Sequence, residues 1–295
     1  MNFRSDLALE CREPLAVQPE GLECSEEKQG EISITRVNVN SEAGAQAIGK
    51  PRGRYVTIEV PPFGESAEVY GAGLDCATRE LRTLLPPEGA VLVVGLGNDG
   101  ITPDALGPRC CSMVLATRHL GGELAKSAGM ADLRPVACFA AGVLGRTGVE
   151  SGEMIAAAVR ALEPAAVITV DALAARRLAR LGCTIQLADS GIIPGSGVGN
   201  ARKAITPAAL GRPVISIGVP TVVDAATLAC DLLEQSNCTL PEAQLRHALA
   251  PNGAQMMVTP REVDLLIARA AKLLGMAINC ALHPAWEPED FLMLL

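Results

Sequence analysis

Two aspartates stand where a carboxylate is costly unless it has a task. In "AAVITVDALAARR", Asp171 follows directly on an apolar, β-branched run, Ala165–Val170. In "VLVVGLGNDGITPDALGP", Asp104 lies one short loop beyond a second such run. An unpaired charge at a buried strand end is strongly unfavourable. Two carboxyls facing one crevice cannot both ionise cheaply, so one keeps its proton while the other loses it. Such a pair can take a proton from water and give one to a leaving amine, which is the chemistry of amide hydrolysis. Each aspartate also has a plain structural account. "TPD" ahead of a helix supplies capping groups and negative charge at the positive helix end, and a capping acid at Asp171 would look the same. On spacing alone, capping and catalysis explain Asp171 equally well.

Other constellations are weaker. The three histidines, His119, His247 and His283, do not follow strands, so neither a Cys–His nucleophile nor a histidine-rich metal site is visible. Ser196 in "PGSGVGN" lacks the strand–elbow–helix setting of a Gly-x-Ser-x-Gly hydrolase. That glycine loop, with Gly195 and Gly197, suits close approach of chain or substrate. "GLGNDG" matches Gly-x-Gly-x-x-Gly, but Thr102-Pro103 delays the helix and no strand-end acid follows about 20 residues on. Tight packing is the better account of those glycines. Asn98, Asp189, Asp99, Glu150 and Asp224 are candidates for supporting roles, with surface or capping duty as the default.

The elements that must position these acids alternate along the chain. Strands are predicted at 31–39, 53–61, 90–97, 134–143, 165–172, 183–189 and 212–220. Helices are predicted at 66–86, 103–120, 152–164, 224–235 and 261–282, with a short one after residue 172. The first thirty residues read as surface loop. Strand–helix alternation with continuous apolar strands predicts an α/β fold, a mostly parallel sheet sandwiched by helices, with an N-terminal β-rich addition. Active sites in open sheets of this kind lie outside the carboxyl ends of the strands. No repeat or composition break divides residues 1–295, so a single domain is expected.

Composition narrows the function classes. Hydrophobic residues make up 49% and charged residues 20%, which describes a folded globular chain. Aromatics are only 2% and the net charge is −8, which argues against base-stacking platforms and phosphate-tracking surfaces. No direct nucleic-acid partner is expected. Ten cysteines without a CxxC pair fit reduced thiols in a reducing compartment. No uninterrupted apolar run is long enough to span a bilayer, so no membrane partner is expected either.

"VVGLGNDGITPDALGPR", "ITVDALAAR", "DSGIIPGSGVGN" and "SIGVPTVVDAATLACD", in that order, resemble the germination (spore) protease family of endospore-forming bacteria. The likeness runs from "RSDLALE" through "GRYVTIEVP" to "MMVTPREVD" and "INCALHP". It implies an atypical aspartic endopeptidase that degrades small acid-soluble spore proteins during germination, with Asp104 and Asp171 as its catalytic acids. It further implies a fold like that of the hydrogenase-maturation proteases, synthesis as an autoprocessing zymogen, a homotetramer, and action in the forespore and spore core. No cofactor and no metal are implied. The family's processing sites read acid–bulky apolar–Ala, and Asp6-Leu7-Ala8 fits them, which makes residues 1–6 a propeptide cut before Leu7. An acid-reading site suggests a cation, for which Arg176 and Arg202 are candidates. Ile193 stands where many relatives carry His. "GLGN…DALG" is also similar to metal-dependent hydrogenase-maturation endopeptidases. That likeness and a catalytically silent phosphate-binding α/β module are the alternatives.

Overall fold

The computed structural model describes residues 5–15, 19–65, 71–120, 133–196, 199, 202–236, 238, 244, 248–249 and 256–294. Among them, nine strands form one sheet: β1 (Leu22–Gln29), β2 (Ile32–Val39), β3 (Gly53–Glu59), β4 (Val91–Leu96), β5 (Val136–Gly142), β6 (Ala166–Ala175), β7 (Thr184–Ala188), β8 (Val214–Asp224) and β9 (Met257–Val258). Their order is β1-β2-β3-β7-β8-β6-β4-β5, with β9 beside β8. The strands β8, β6, β4 and β5 are mutually parallel and form the half of the sheet that carries the two aspartates. The other half is antiparallel, where β1, β2 and β3 form the N-terminal β-rich addition and join the sheet through β3 and β7.

Strand β4 shows why this half of the sheet is apolar throughout. Val91 and Val93 point into one core, which is closed by the helices Ala72–Leu84 and Val263–Leu282. Leu92, Val94 and Leu96 point into the other, against Ile155 and Val159 of the helix Ser151–Leu162. Alternate side chains of a strand must take opposite faces, so both faces are covered and every residue of β4 is buried. The helix Leu106–Cys111, after β4, joins the first core, whereas Ser151–Leu162, after β5, joins the second. The connection from β4 to β5 thus covers one face of the sheet and that from β5 back to β6 the other, and such a switch point between β4 and β6 opens a crevice at the strand ends. Val263–Leu282 has the length and apolarity to cross a membrane, yet 78% of its most apolar window is buried in this core.

Three elements differ from expectation. The helix expected over 103–120 is a 3-10 turn, Thr102–Asp104, followed by Leu106–Cys111 alone. Asn279, buried on the long C-terminal helix, ends it by accepting from Leu115 N (2.9 Å) and donating to Met113 O (2.9 Å). The helix expected after residue 172 is instead the continuation of β6, because Ala172–Ala175 pair with Val219–Val223 of the long strand β8. Only a 3-10 turn, Leu178–Arg180, follows. The N-terminal stretch read as loop contains both β1 and a short helix, Ala8–Arg12. Cys76, Cys110 and Cys280 are free thiols within the core.

Candidate active site

Asp104 is placed by backbone packing that only glycines permit. Gly97, just past β4, has φ +103, and a Cβ there would collide with Asp104 O and come within 2.9 Å of its Oδ1. The Asn98 N–H can therefore reach both Asp104 O (3.1 Å) and Oδ2 (2.8 Å). Gly107 lets the following helix lie directly on the sheet, since a Cβ there would be 2.5 Å from Leu96 N and from Val170 O. Buried Thr221 of β8 fixes the turn from the far side by donating to Pro103 O at 2.7 Å.

Asp171 is not at a strand end, as the sequence suggested. It is an interior residue of β6, opposite Gly218 of β8. On its other side the pairing with β4 stops at Gly95 and Val170. The carboxylate therefore projects from a continuous strand just beyond the end of its neighbour, and it is only 6% exposed. No helix begins there for it to cap.

Burial raises both carboxyls. Asp104, half-buried, is pushed up to about 6, with the Asn98 N–H opposing the shift. Asp171 is raised well above the usual carboxylate range, first by burial, then by the negative charges of Asp104 and Asp6, while the Ala172 N–H at 2.9 Å opposes. Asp104 ionises first and feels a neutral neighbour, whereas Asp171 must ionise beside an existing charge. Asp171 therefore holds its proton more tightly than Asp104, and between their two ionisations the arrangement is one carboxylate beside one carboxylic acid.

A cavity of about 360 Å³ has Asp6, Asp104 and Asp171 in its wall. Asp6 arrives from the N-terminal segment. Its N–H donates to Ala174 O (2.9 Å), and its Oδ2 accepts from Ala174 N (2.8 Å). Its Oδ1 accepts from Ser196 Oγ at 3.1 Å. Lys50 Nζ donates to Ser5 O (3.0 Å) and Asp6 O (3.1 Å). Leu7 and Ala8 are fully buried beyond it. Glu10, 2% exposed, holds the segment down by accepting from Arg176 N (2.6 Å) and Arg177 N (2.9 Å) and pairing with Arg180.

The remaining candidates divide clearly. Gly195 and Ile193 line the cavity, as do Glu150 and Arg202, which face each other at 3.7 Å. Asp189 is not brought to it, because Arg54 takes its carboxylate through Nε (2.7 Å) and N–H (2.7 Å). Asp99 is exposed and paired with Arg146. Asp224 caps the helix Ala225–Gln235. Arg176 is buried and bound to Asp231 (3.3 Å) and Glu234 (2.6 Å), so it is not the acid-reading cation. His119 sits on an exposed turn and His283 is buried against Phe291. Gly197 and His247 lie outside the described residues. Lys50 and Thr221 carried no sequence signal, since each acts on residues more than forty positions away.

The family model described as germination protease matches residues 7–236. The chain belongs to the germination protease family. It is 42% identical to the germination protease of Caldanaerobacter subterraneus subsp. tengcongensis, with 100% of this chain and 98% of that protein aligned. The germination protease of Clostridium tetani is 39% identical, with 98% of each aligned, and that of Priestia megaterium 36% identical, with 98% and 96% aligned. Family membership places the chain among the peptidases of spore germination. Among solved structures, the [NiFe] hydrogenase maturation protease HycI from Thermococcus kodakarensis aligns with 68% of this chain and 98% of its own. Its TM-score is 0.36 and its identity 14%, an overlap too loose to bear on the chemistry.

Proposed function

We propose that the chain is an endopeptidase whose Asp104 and Asp171 hydrolyse an amide bond as a general base and general acid. The observation that carries this is the shared cavity, in which burial raises both carboxyls and the charge of Asp104 makes Asp171 the one that holds its proton more tightly. The Asp104 carboxylate accepts a proton from water as the water oxygen bonds to the carbonyl carbon. The Asp171 acid gives its proton to the amide nitrogen as the carbon–nitrogen bond breaks, releasing a carboxylic acid and an amine. The protons of the pair are then exchanged with solvent, which restores the starting state.

The substrates proposed are small acid-soluble spore proteins, cut in the forespore and spore core by a homotetramer. Synthesis as a zymogen is proposed as well, with residues 1–6 removed by cleavage after Asp6. The placement of Asp6 in the cavity wall supports that site. Cleavage of an acid-soluble spore protein, with and without chelator, tests the reading. Asp104→Asn and Asp171→Asn should each lower the rate by about 10²–10⁴ while the protein stays folded. Near-full activity in either variant would refute the pair. Loss of activity in chelator, restored by a divalent cation, would replace it with a metal-dependent reaction.

A further inference from the structure

Asp6 is an unfavourable choice for a purely structural latch. It adds a third carboxylate to a cavity that already holds Asp104 and Asp171, and its charge works against the ionisation of Asp171. A neutral residue would make the N–H bond to Ala174 O equally well. Yet both carboxylate oxygens are matched, Oδ2 by the Ala174 N–H and Oδ1 by the Ser196 hydroxyl. The chain leaves the cavity at once, because Leu7 and Ala8 are buried in two different apolar clusters.

We propose that the Ala174 N–H and the Ser196 hydroxyl form the subsite that reads an acidic side chain immediately before the scissile bond, with Lys50 on the carbonyl oxygen of that same residue. Asp6 occupies this subsite in the uncut chain. The inference rests on the peptidase reading above. A carboxylate accepts charge-assisted bonds from both groups, whereas an amide meets them only with its oxygen on the Ala174 N–H and its NH₂ on a Ser196 hydroxyl turned to accept, a neutral and weaker pair. The Lys50 ammonium, 3.1 Å from Asp6 O, lies where negative charge grows as water adds to the carbonyl. Arg176 is committed elsewhere and Arg202 faces Glu150, so neither is needed to explain acid recognition.

The test gives the full chain, once it has cut itself after Asp6 and emptied the subsite, two peptides, one with the sequence of residues 1–12 and its twin with Asn in place of Asp6. Cleavage is followed by mass spectrometry. The wild type should favour the aspartate peptide about 10-fold or more in kcat/KM. Ser196→Ala should shrink that preference about 10-fold, and Ser196→Thr, which keeps the hydroxyl, should restore it. Lys50→Gln should slow both peptides together by about 10²–10³ and keep the preference. An unchanged preference in Ser196→Ala, with cleavage still dependent on Asp104, overturns the subsite alone. A chain that cuts neither peptide nor itself, or that cuts as well with Asp104→Asn, overturns the peptidase reading and the subsite with it.

Discussion

Asp104→Asn should stabilise the protein at alkaline pH while slowing its proposed proteolysis by about 10²–10⁴. Burial moves the Asp104 carboxyl from its ordinary 3.8 to about 6, so the fold prefers the neutral acid. The sign follows from linkage. A carboxyl raised in the folded state contributes stability that is present below its unfolded value and is lost as pH climbs through the folded one. The wild type therefore weakens between about pH 4 and pH 6 and stays weakened above. The shift corresponds to about 3 kcal/mol between the two protonation states. Because Asp104 is only half-buried, solvent screening reduces the recoverable part to about 2 kcal/mol. Asparagine keeps an oxygen for the Asn98 N–H and removes the charge. The comparison is best made in an Asp171→Asn background, which blocks self-cleavage. It leaves the Asp104 shift in place, since burial rather than Asp171 causes that shift. Calorimetry near pH 8 should then show Tm higher by about 3 °C, as expected for a chain of this length, with most of the gain gone by about pH 4. A gain of equal size at both pH values would point to packing. A loss near pH 8 would mean that the carboxylate is favourably held, and the assignment of Asp104 as a burial-strained base would fail.

With Asp104 as the base, kcat/KM should rise with pH through about 6, because the reactive carboxylate form accumulates above that value, and should fall again only where Asp171 loses its proton. A pH–rate profile on peptide substrate checks this, and an acid limb centred near 4 would contradict it. Glu10→Ala strips two backbone N–H groups and Arg180 of their buried acceptor, so urea unfolding should show a loss of about 3–5 kcal/mol. A loss below about 1 kcal/mol would show that the N-terminal clamp is not structural. Gly107→Ala forces a methyl to within 2.5 Å of Leu96 N and Val170 O, backbone atoms that cannot yield without moving the Asp104 turn. Stability and activity should fall together, whereas Gly145→Ala, with nothing within 4 Å of its Cβ, should be close to neutral.

The sheet and its acids were legible because their signals are local. Continuous apolar runs marked β4, β6 and β8, and strand-end reasoning put Asp104 and Asp171 on one rim. What the sequence hid depends on partners far away in the chain. Ala172–Ala175 has the composition of a helix, but pairing with Val219–Val223 outweighs that propensity and leaves Asp171 inside a strand. The helix over 103–120 fits its own periodicity, and Asn279 cuts it short from more than 160 residues away. β1 escaped notice because it is an edge strand with exposed Glu23, Glu26 and Lys28, the kind of surface that keeps sheet edges from pairing with other chains. Glu10 looked like one charge in an acidic stretch, yet it is among the most buried polar groups of the protein.

The two sides of the Asp6–Leu7 bond are held by different physics. On the far side, Leu7 packs with Leu173, Ala175 and Val223, and Ala8 packs against Val37, Val39 and Tyr55. Burying one leucine alone contributes about 2 kcal/mol, and the Glu10 clamp lies just beyond. On the near side, Ser5 and Asp6 are held by hydrogen bonds, each contributing about 1 kcal/mol net. Those bonds are partly open to water, and their donors can be satisfied by solvent or by another carboxylate. A cut after Asp6 would therefore leave Leu7 and Ala8 anchored, let the near side dissociate, and remove one negative charge from beside Asp171. The same event would empty the proposed acidic subsite and ease the ionisation of the buried acid, so one hydrolysis would alter both access and electrostatics at the proposed catalytic pair.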